Sequence, residues 1–177
     1  TPLSVLLGEL ESIEDGARQP TPEVLANLRA EVLQLVRMVN DLHTLSMADL
    51  GALPCEFVDG DASVVLLRAL QRMEERVRKA GLVLDAPKEP APIPVHWDFG
   101  RIEQVLVNLI SNAIKFTPAG GQVMISANDL SDTVRFTIAD TGRGIPPEAL
   151  PHVFNKFFQV QSSTESGAKG TGLGLAI

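Results

Sequence analysis

Asn108-Leu-Ile-Ser-Asn112-Ala-Ile-Lys115-Phe116 sets two amides and an ammonium into an otherwise apolar stripe at regular spacing. Ile102, Val105, Leu109, Ala113 and Phe116 recur at steps of three and four, the period of a helix that buries one side. Asp98 stands where an N-cap carboxylate would start that helix. Asn108, Asn112 and Lys115 lie four and three residues apart, so they share a face. Amide oxygens suit a hard cation and an ammonium offsets phosphate charge, so this face fits a Mg²⁺-phosphate group. A buried amide network in a core would use the same residue types.

Downstream, the pattern changes period. After the Pro118–Gly121 turn, Val123, Ile125 and Ala127 alternate with polar residues. Val134, Phe136 and Ile138 do the same beyond the Asn128–Asp132 turn. Period two predicts an antiparallel hairpin with one buried face. Asp140-Thr-Gly142-Arg-Gly144-Ile145 follows at once. A carboxylate at a strand end followed by G-x-G lets backbone approach a planar ring, and Asp140 can accept from an exocyclic amine such as that of adenine. The third glycine of a dinucleotide fingerprint is absent. A short helix is expected near Pro147–Phe154. Gly170-Thr171-Gly172-Leu173-Gly174 crowds backbone amides as a polyphosphate requires, ahead of apolar residues that predict a helix, but it lacks the P-loop lysine. Between these clusters, the polar stretch from Phe158 to Lys169 reads as a lid anchored by Phe154, Phe157 and Phe158.

Upstream, Leu3 to Arg18 carries Leu3, Leu6, Leu10, Ile13 and Ala17 at helical spacing, until Gln19-Pro-Thr-Pro22 breaks the pattern. From Glu23 onward Leu25, Leu28, Val32, Leu35, Val39 and Leu42 form a heptad seam. Two such helices joined by a short turn predict an antiparallel hairpin with too little core of its own. Pairing with a second copy into a four-helix bundle is expected; packing onto the rest of this chain is the alternative. Asp49 to Asp61 reads as a linker with a short strand at Glu56–Val58. A third helix presents Leu66, Leu70, Met73, Val77 and Ala80 and stops at Gly81. Leu82–Ala86 and Ile93–Trp97 read as strands around a Pro-rich turn. The expected divisions are a hairpin over residues 1–50, a linker over 51–60 and an α/β unit over 61–177.

The chain has 177 residues, 45% of them hydrophobic and 21% charged, which is enough to bury a core and excludes disordered or collagen-like classes. A net charge of −7 disfavours a nucleic-acid coat, so no nucleic-acid partner is expected. One cysteine, Cys55, makes an internal disulfide impossible, and no Cys/His set has metal spacing. No apolar run approaches the ~20 residues that span a bilayer and no signal peptide opens the chain, so a soluble piece in a reducing interior is expected. His43, His96 and His152 read as structural.

Taken in order, the clusters resemble the N, G1, F and G2 boxes of the two-component sensor histidine kinases, within the gyrase–Hsp90–kinase–MutL (GHKL) ATPase superfamily. Thr1-Pro-Leu is similar to the tail of that family's H-box, H-E-L-R-T-P-L. Leu42-His-Thr-Leu-Ser-Met-Ala-Asp-Leu-Gly-Ala-Leu53 resembles envelope-stress sensor kinases. The resemblance implies an α+β fold: a dimerising histidine-phosphotransfer hairpin, then an α/β sandwich of the GHKL (Bergerat) type. It implies ATP and Mg²⁺ as cofactors. Asn112 would ligate the metal, Lys115 would contact phosphate and Phe116 would line the pocket. Asp140 would bind the adenine amine, with Gly142, Gly144 and Ile145 shaping its pocket. Gly170, Thr171, Gly172, Leu173 and Gly174 would close over the phosphates. Phe158 would stand at the lid, whose cation would be Lys156 or Lys169, since Gln159 occupies a place where the family often has arginine.

Asn108 stands where hydrolytic superfamily members have a glutamate base; an amide cannot deprotonate water, so transfer should outrun hydrolysis. The phosphoacceptor histidine would lie four residues before Thr1, outside this chain, together with the glutamate that serves as base. Thr1 would then sit one turn beyond it, where a polar residue positions water for dephosphorylating the response regulator. The implied partners are a second copy and a response-regulator receiver domain, the latter met by exposed first-helix residues such as Glu9 and Ser12. An upstream membrane anchor would place the unit on the cytoplasmic side of the inner membrane. The rival readings are a superfamily ATPase and a nucleotide-binding scaffold without catalysis.

Overall fold

The computed structural model describes residues 2–160 and 171–177, arranged in two compact units, Thr1–Leu53 and Pro54–Ile177. The first is a helical hairpin of α1 (Pro2–Glu14) and α2 (Pro22–Asp49). Thr21 caps α2 by accepting the Val24 N–H, and Pro22 fills the first helical position, where no N–H is needed. The apolar spacing predicted a first helix reaching Arg18, but α1 stops at Glu14. Gly16 takes φ +71°, and the N–H groups of Asp15 and Gly16 fold back to the carbonyls of Glu11 and Ile13. Arg18 then reaches back to Glu9 at 2.9 Å. Glu9 and Ser12, expected to be exposed, are accordingly half-buried. Val24 and Leu28 are buried, whereas Leu25, Val32, Val39 and Leu42 of the seam are 53%, 46%, 66% and 50% exposed.

In the second unit β1 (Val58–Asp61) leads into α3 (Ala62–Lys79), then β2 (Val83–Asp85), β3 (Pro94–Trp97), α4 (Phe99–Phe116), β4 (Gln122–Asp129) and β5 (Val134–Asp140). β1 pairs antiparallel with β3, while β2 runs parallel to β4 and β4 antiparallel to β5. The strand expected at Glu56–Val58 lies further along because pairing fixes it: Val58 sits opposite Trp97 and Asp61 opposite Pro94. The helix expected near Pro147–Phe154 is only a 3₁₀ turn, Leu150–His152, with Pro151 in its first positions, where no N–H is needed. The core lies between the helices and the mixed sheet. Leu66, Leu70, Met73 and Val77 of α3 meet Leu106, Ile110 and Ala113 of α4 over Val123 and Ile125 of β4. The result is a two-layer α/β arrangement whose other sheet face stays open at Met124.

Two aspartates tie helix starts to the strands. Asp61 caps α3 by accepting the Ser63 N–H at 2.8 Å and also accepts the Ile93 N–H at 2.9 Å. Asp98 caps α4 through Arg101 at 2.9 Å and holds the Glu56 N–H at 3.0 Å. These backbone donors hold both carboxyls below the usual carboxylate range. A depressed native pKa stabilises the fold fully above the unfolded value of about 4, and that contribution disappears as pH falls through the native value. Urea midpoints should therefore drop more steeply below about pH 4 for the unaltered chain than for Asp98→Asn. Parallel curves would remove this role for Asp98.

Candidate functional site

The alternation of β5 puts Phe136, Ile138 and Asp140 in one row, opposite Ala127, Ile125 and Val123. Val123 and Ile125 are buried, so Asp140 ends the row that faces the helices. From there the chain turns at once, because Asp140 Oδ1 accepts the Gly142 N–H at 2.8 Å. Two ties hold the turn. Thr141 exchanges bonds with Gln122, accepting its N–H at 2.9 Å and donating its own to the Gln122 carbonyl at 3.0 Å. Arg143 donates its N–H to the Phe116 carbonyl at 3.4 Å, joining the loop to the end of α4.

The Phe116 ring beside this junction has the Lys115 ammonium 5.0 Å and the Arg143 guanidinium carbon 4.8 Å from its centroid. Partial burial pushes the Lys115 pKa down, and the nearby Arg143 charge pushes it further. Along α4, Asn112 is half-buried one turn from Asn108. The Asn108 amide donates to the Gly174 carbonyl at 3.0 Å. That contact brings the last predicted cluster to the same helix. Leu173 is fully buried there, Thr171 Oγ1 accepts its N–H at 3.3 Å, and the Ile177 N–H returns to the Leu173 carbonyl at 3.2 Å, the first bond of a helical turn. The Gly172 carbonyl accepts the Phe157 N–H at 2.8 Å.

The structure thus joins Asn108 to the glycine-rich turn and Phe116 to the Asp140–Gly144 loop. Gly144 and Ile145 lie on the exposed side of that loop. Phe154 and Phe157 are exposed, and Phe158 is half-buried against the His152 ring at 5.7 Å. Phe158 lines a hollow of about 410 Å³ with Pro146, Glu148 and His152. Lys156 is exposed beside Phe157. Thr1, Lys169 and Gly170 lie outside the described residues. Thr141 and Arg143 were given no role from sequence; the signal available for Arg143 was a cation inside a G-x-G that follows a helix ending in Lys-Phe.

Residues 98–177 match the family described as histidine kinase-, DNA gyrase B- and HSP90-like ATPases. The histidine kinase AdeS of Acinetobacter baumannii superposes on 99% of this chain and 80% of its own, with a TM-score of 0.81 and 34% identity. The chain belongs to the sensor histidine kinases. Over its whole length it is 42% identical to the signal transduction histidine-protein kinase BaeS of Escherichia coli (strain K12), of which it spans 38%. Full-length ShkA, solved in complex with AMPPNP, matches 90% of this chain with a TM-score of 0.68 and 31% identity. The match to the ATPase family begins at Asp98, the cap of α4, and so takes in Asn108, Phe116, Asp140 and Gly174. Among the described residues no helix is long and apolar enough to cross a membrane.

Proposed function

We propose that the second unit of this histidine kinase binds ATP with Mg²⁺ and delivers the γ-phosphoryl group to a histidine upstream of Thr1, from which it passes to an aspartate of a response regulator. What carries the reading is the convergence on one helix: Asn108 on the Gly174 carbonyl, and the Phe116 carbonyl on the Arg143 N–H. In it, Asp140 takes the adenine amine, Gly142, Gly144 and Ile145 shape the ring site, and Phe116 lines it. Lys115 meets phosphate, and Thr171 to Gly174 close over the phosphates, with Lys156 or Lys169 as the lid cation beside Phe158. ShkA with its bound AMPPNP supports a nucleotide in this fold.

The donor set fits Mg²⁺ by its chemistry. Among the described residues no group of three or more His, Cys, Asp or Glu side chains gathers to hold a metal. A single amide oxygen from Asn112 suits an ion that keeps several waters and takes phosphate oxygens for the rest. When bound, Mg²⁺ would neutralise phosphate charge; the chain's own residues position the nucleotide.

Transfer without hydrolysis follows from Asn108, which has no basic atom. Asn108→Glu is expected to raise steady phosphate release at least about tenfold, as a general base would. It also gives up the donor to Gly174, so the loop should loosen. An unchanged release rate would remove this account of Asn108.

The exposed seam of Leu25, Val32, Val39 and Leu42 supports a dimer through the hairpin, as half of a four-helix bundle. Thr1 would lie near the phosphorylated histidine and act in dephosphorylation, while the hairpin meets the receiver domain. The anchored parent would hold both units on the cytoplasmic side of the inner membrane. The decisive test uses an upstream-extended chain with Mg²⁺ and γ-labelled ATP. Acid-labile, base-stable label, lost in Asp140→Asn, supports the kinase; nucleotide binding without label would point to a scaffold.

A further inference from the structure

Arg143 stands between the two glycines of the Asp140 loop and points back across the end of α4, its guanidinium carbon 4.8 Å from the Phe116 ring centroid. The Lys115 ammonium lies 5.0 Å from the same centroid. Two cations sharing one ring are each attracted to it, but the ring offsets only part of their mutual repulsion. Among the described residues no carboxylate forms an ion pair with either one, although the chain as a whole carries a net charge of −7. Burial first, and the Arg143 charge after it, hold the Lys115 pKa below its usual value.

The backbone makes this arrangement persistent. Arg143 is tied by its N–H to the Phe116 carbonyl. Gly142 lies so close that a Cβ there would come within 2.5 Å of that carbonyl oxygen. The guanidinium is therefore delivered to α4 by a loop that packs closely against its last carbonyl. Two unpaired cations, one a planar fork of donors and the other a point charge, fit an anion carrying several acceptor oxygens.

We propose that Arg143 is a further nucleotide-binding residue, forming with Lys115 and the Phe116 ring a two-cation cradle for the phosphates of an adenine nucleotide. The assignment rests on the nucleotide reading above. It predicts that Arg143 distinguishes phosphorylated from unphosphorylated ligands, and that Asp140 does not.

The test is titration of the chain with ADP and with adenosine, followed by NMR so that the weaker ligand is also measured. Arg143→Gln, which keeps the backbone N–H and much of the side-chain length, should weaken ADP about tenfold and leave adenosine within about twofold. Arg143→Lys, which restores the charge, should recover most of the ADP affinity. Equal losses for the two ligands, or no loss for ADP, would overturn the cradle while leaving the nucleotide reading intact. Binding of neither ligand by the unaltered chain would remove both.

Discussion

Asp140→Asn is expected to weaken adenine-nucleotide binding by about 10- to 100-fold, the usual difference when a hydrogen bond loses its charged partner. Asp140 closes the core-facing row of β5 and has two oxygens with separate duties. Oδ1 accepts the Gly142 N–H at 2.8 Å and shapes the turn. In the proposed site the second oxygen faces the adenine amine. Asparagine keeps an oxygen for Gly142 but puts an NH₂ where the amine needs an acceptor. The loop should survive while the ligand does not. Calorimetric titration with ADP, paired with a thermal melt, separates the two duties. A melt lowered by several degrees with affinity intact would show that Asp140 serves the turn alone.

Gly142→Ala should damage both affinity and stability. A Cβ there would sit 2.5 Å from the Phe116 carbonyl oxygen, 3.0 Å from its carbon and 2.6 Å from Asp140 Oδ1. The carbonyl is the last of α4 and already accepts from Arg143, so the loop must move instead. Overpacking of this kind costs roughly 1–3 kcal/mol, and the displaced loop carries Asp140's turn with it. Gly144→Ala is the control: φ is +69° but nothing lies within 4 Å of a new Cβ, so only the left-handed backbone is penalised, by roughly 1–2 kcal/mol. Urea midpoints should place Gly142→Ala below Gly144→Ala, and nucleotide affinity should fall more than tenfold only in the former. Equal behaviour of the two would mean that the loop yields freely at Phe116.

The long elements were legible because their signals are local. Asp98 before an apolar stripe is a helix start wherever the helix packs, and period-two alternation defines the β4–β5 hairpin before any partner is known. The failures came where distant partners decide. β1 falls at Val58–Asp61 because β3 pairs with it, and nothing within residues 54–61 specifies that register. The parallel pairing of β2 with β4 likewise spans α4 and leaves no mark on either strand. α1 fails for the opposite reason: a single glycine at position 16 overrides spacing that continues to Ala17. At the proposed site, residue types suggested separate phosphate and adenine chemistry for Asn108, Asp140 and the glycines, and the family resemblance joined them. Only tertiary contact shows that Asn108 gives its donor to Gly174, and that Arg143 shares a ring with Lys115.

The carbonyl of Gly81, just past the end of α3, accepts the Gly120 N–H at 2.8 Å, and the Gly121 carbonyl accepts the Val83 N–H at 2.9 Å. These bonds fasten the exits of α3 and α4 to each other, close in sequence to Lys115 and Phe116. The segment between the two exits is thus a closed ring, and the backbone freedom of its last helical turn is lost when the protein folds, not when a ligand arrives. In the proposed site a nucleotide would meet Lys115 and Phe116 on backbone that is already fixed. The backbone share of the ordering penalty would then be met in folding, leaving only the side chains to be ordered by the phosphates.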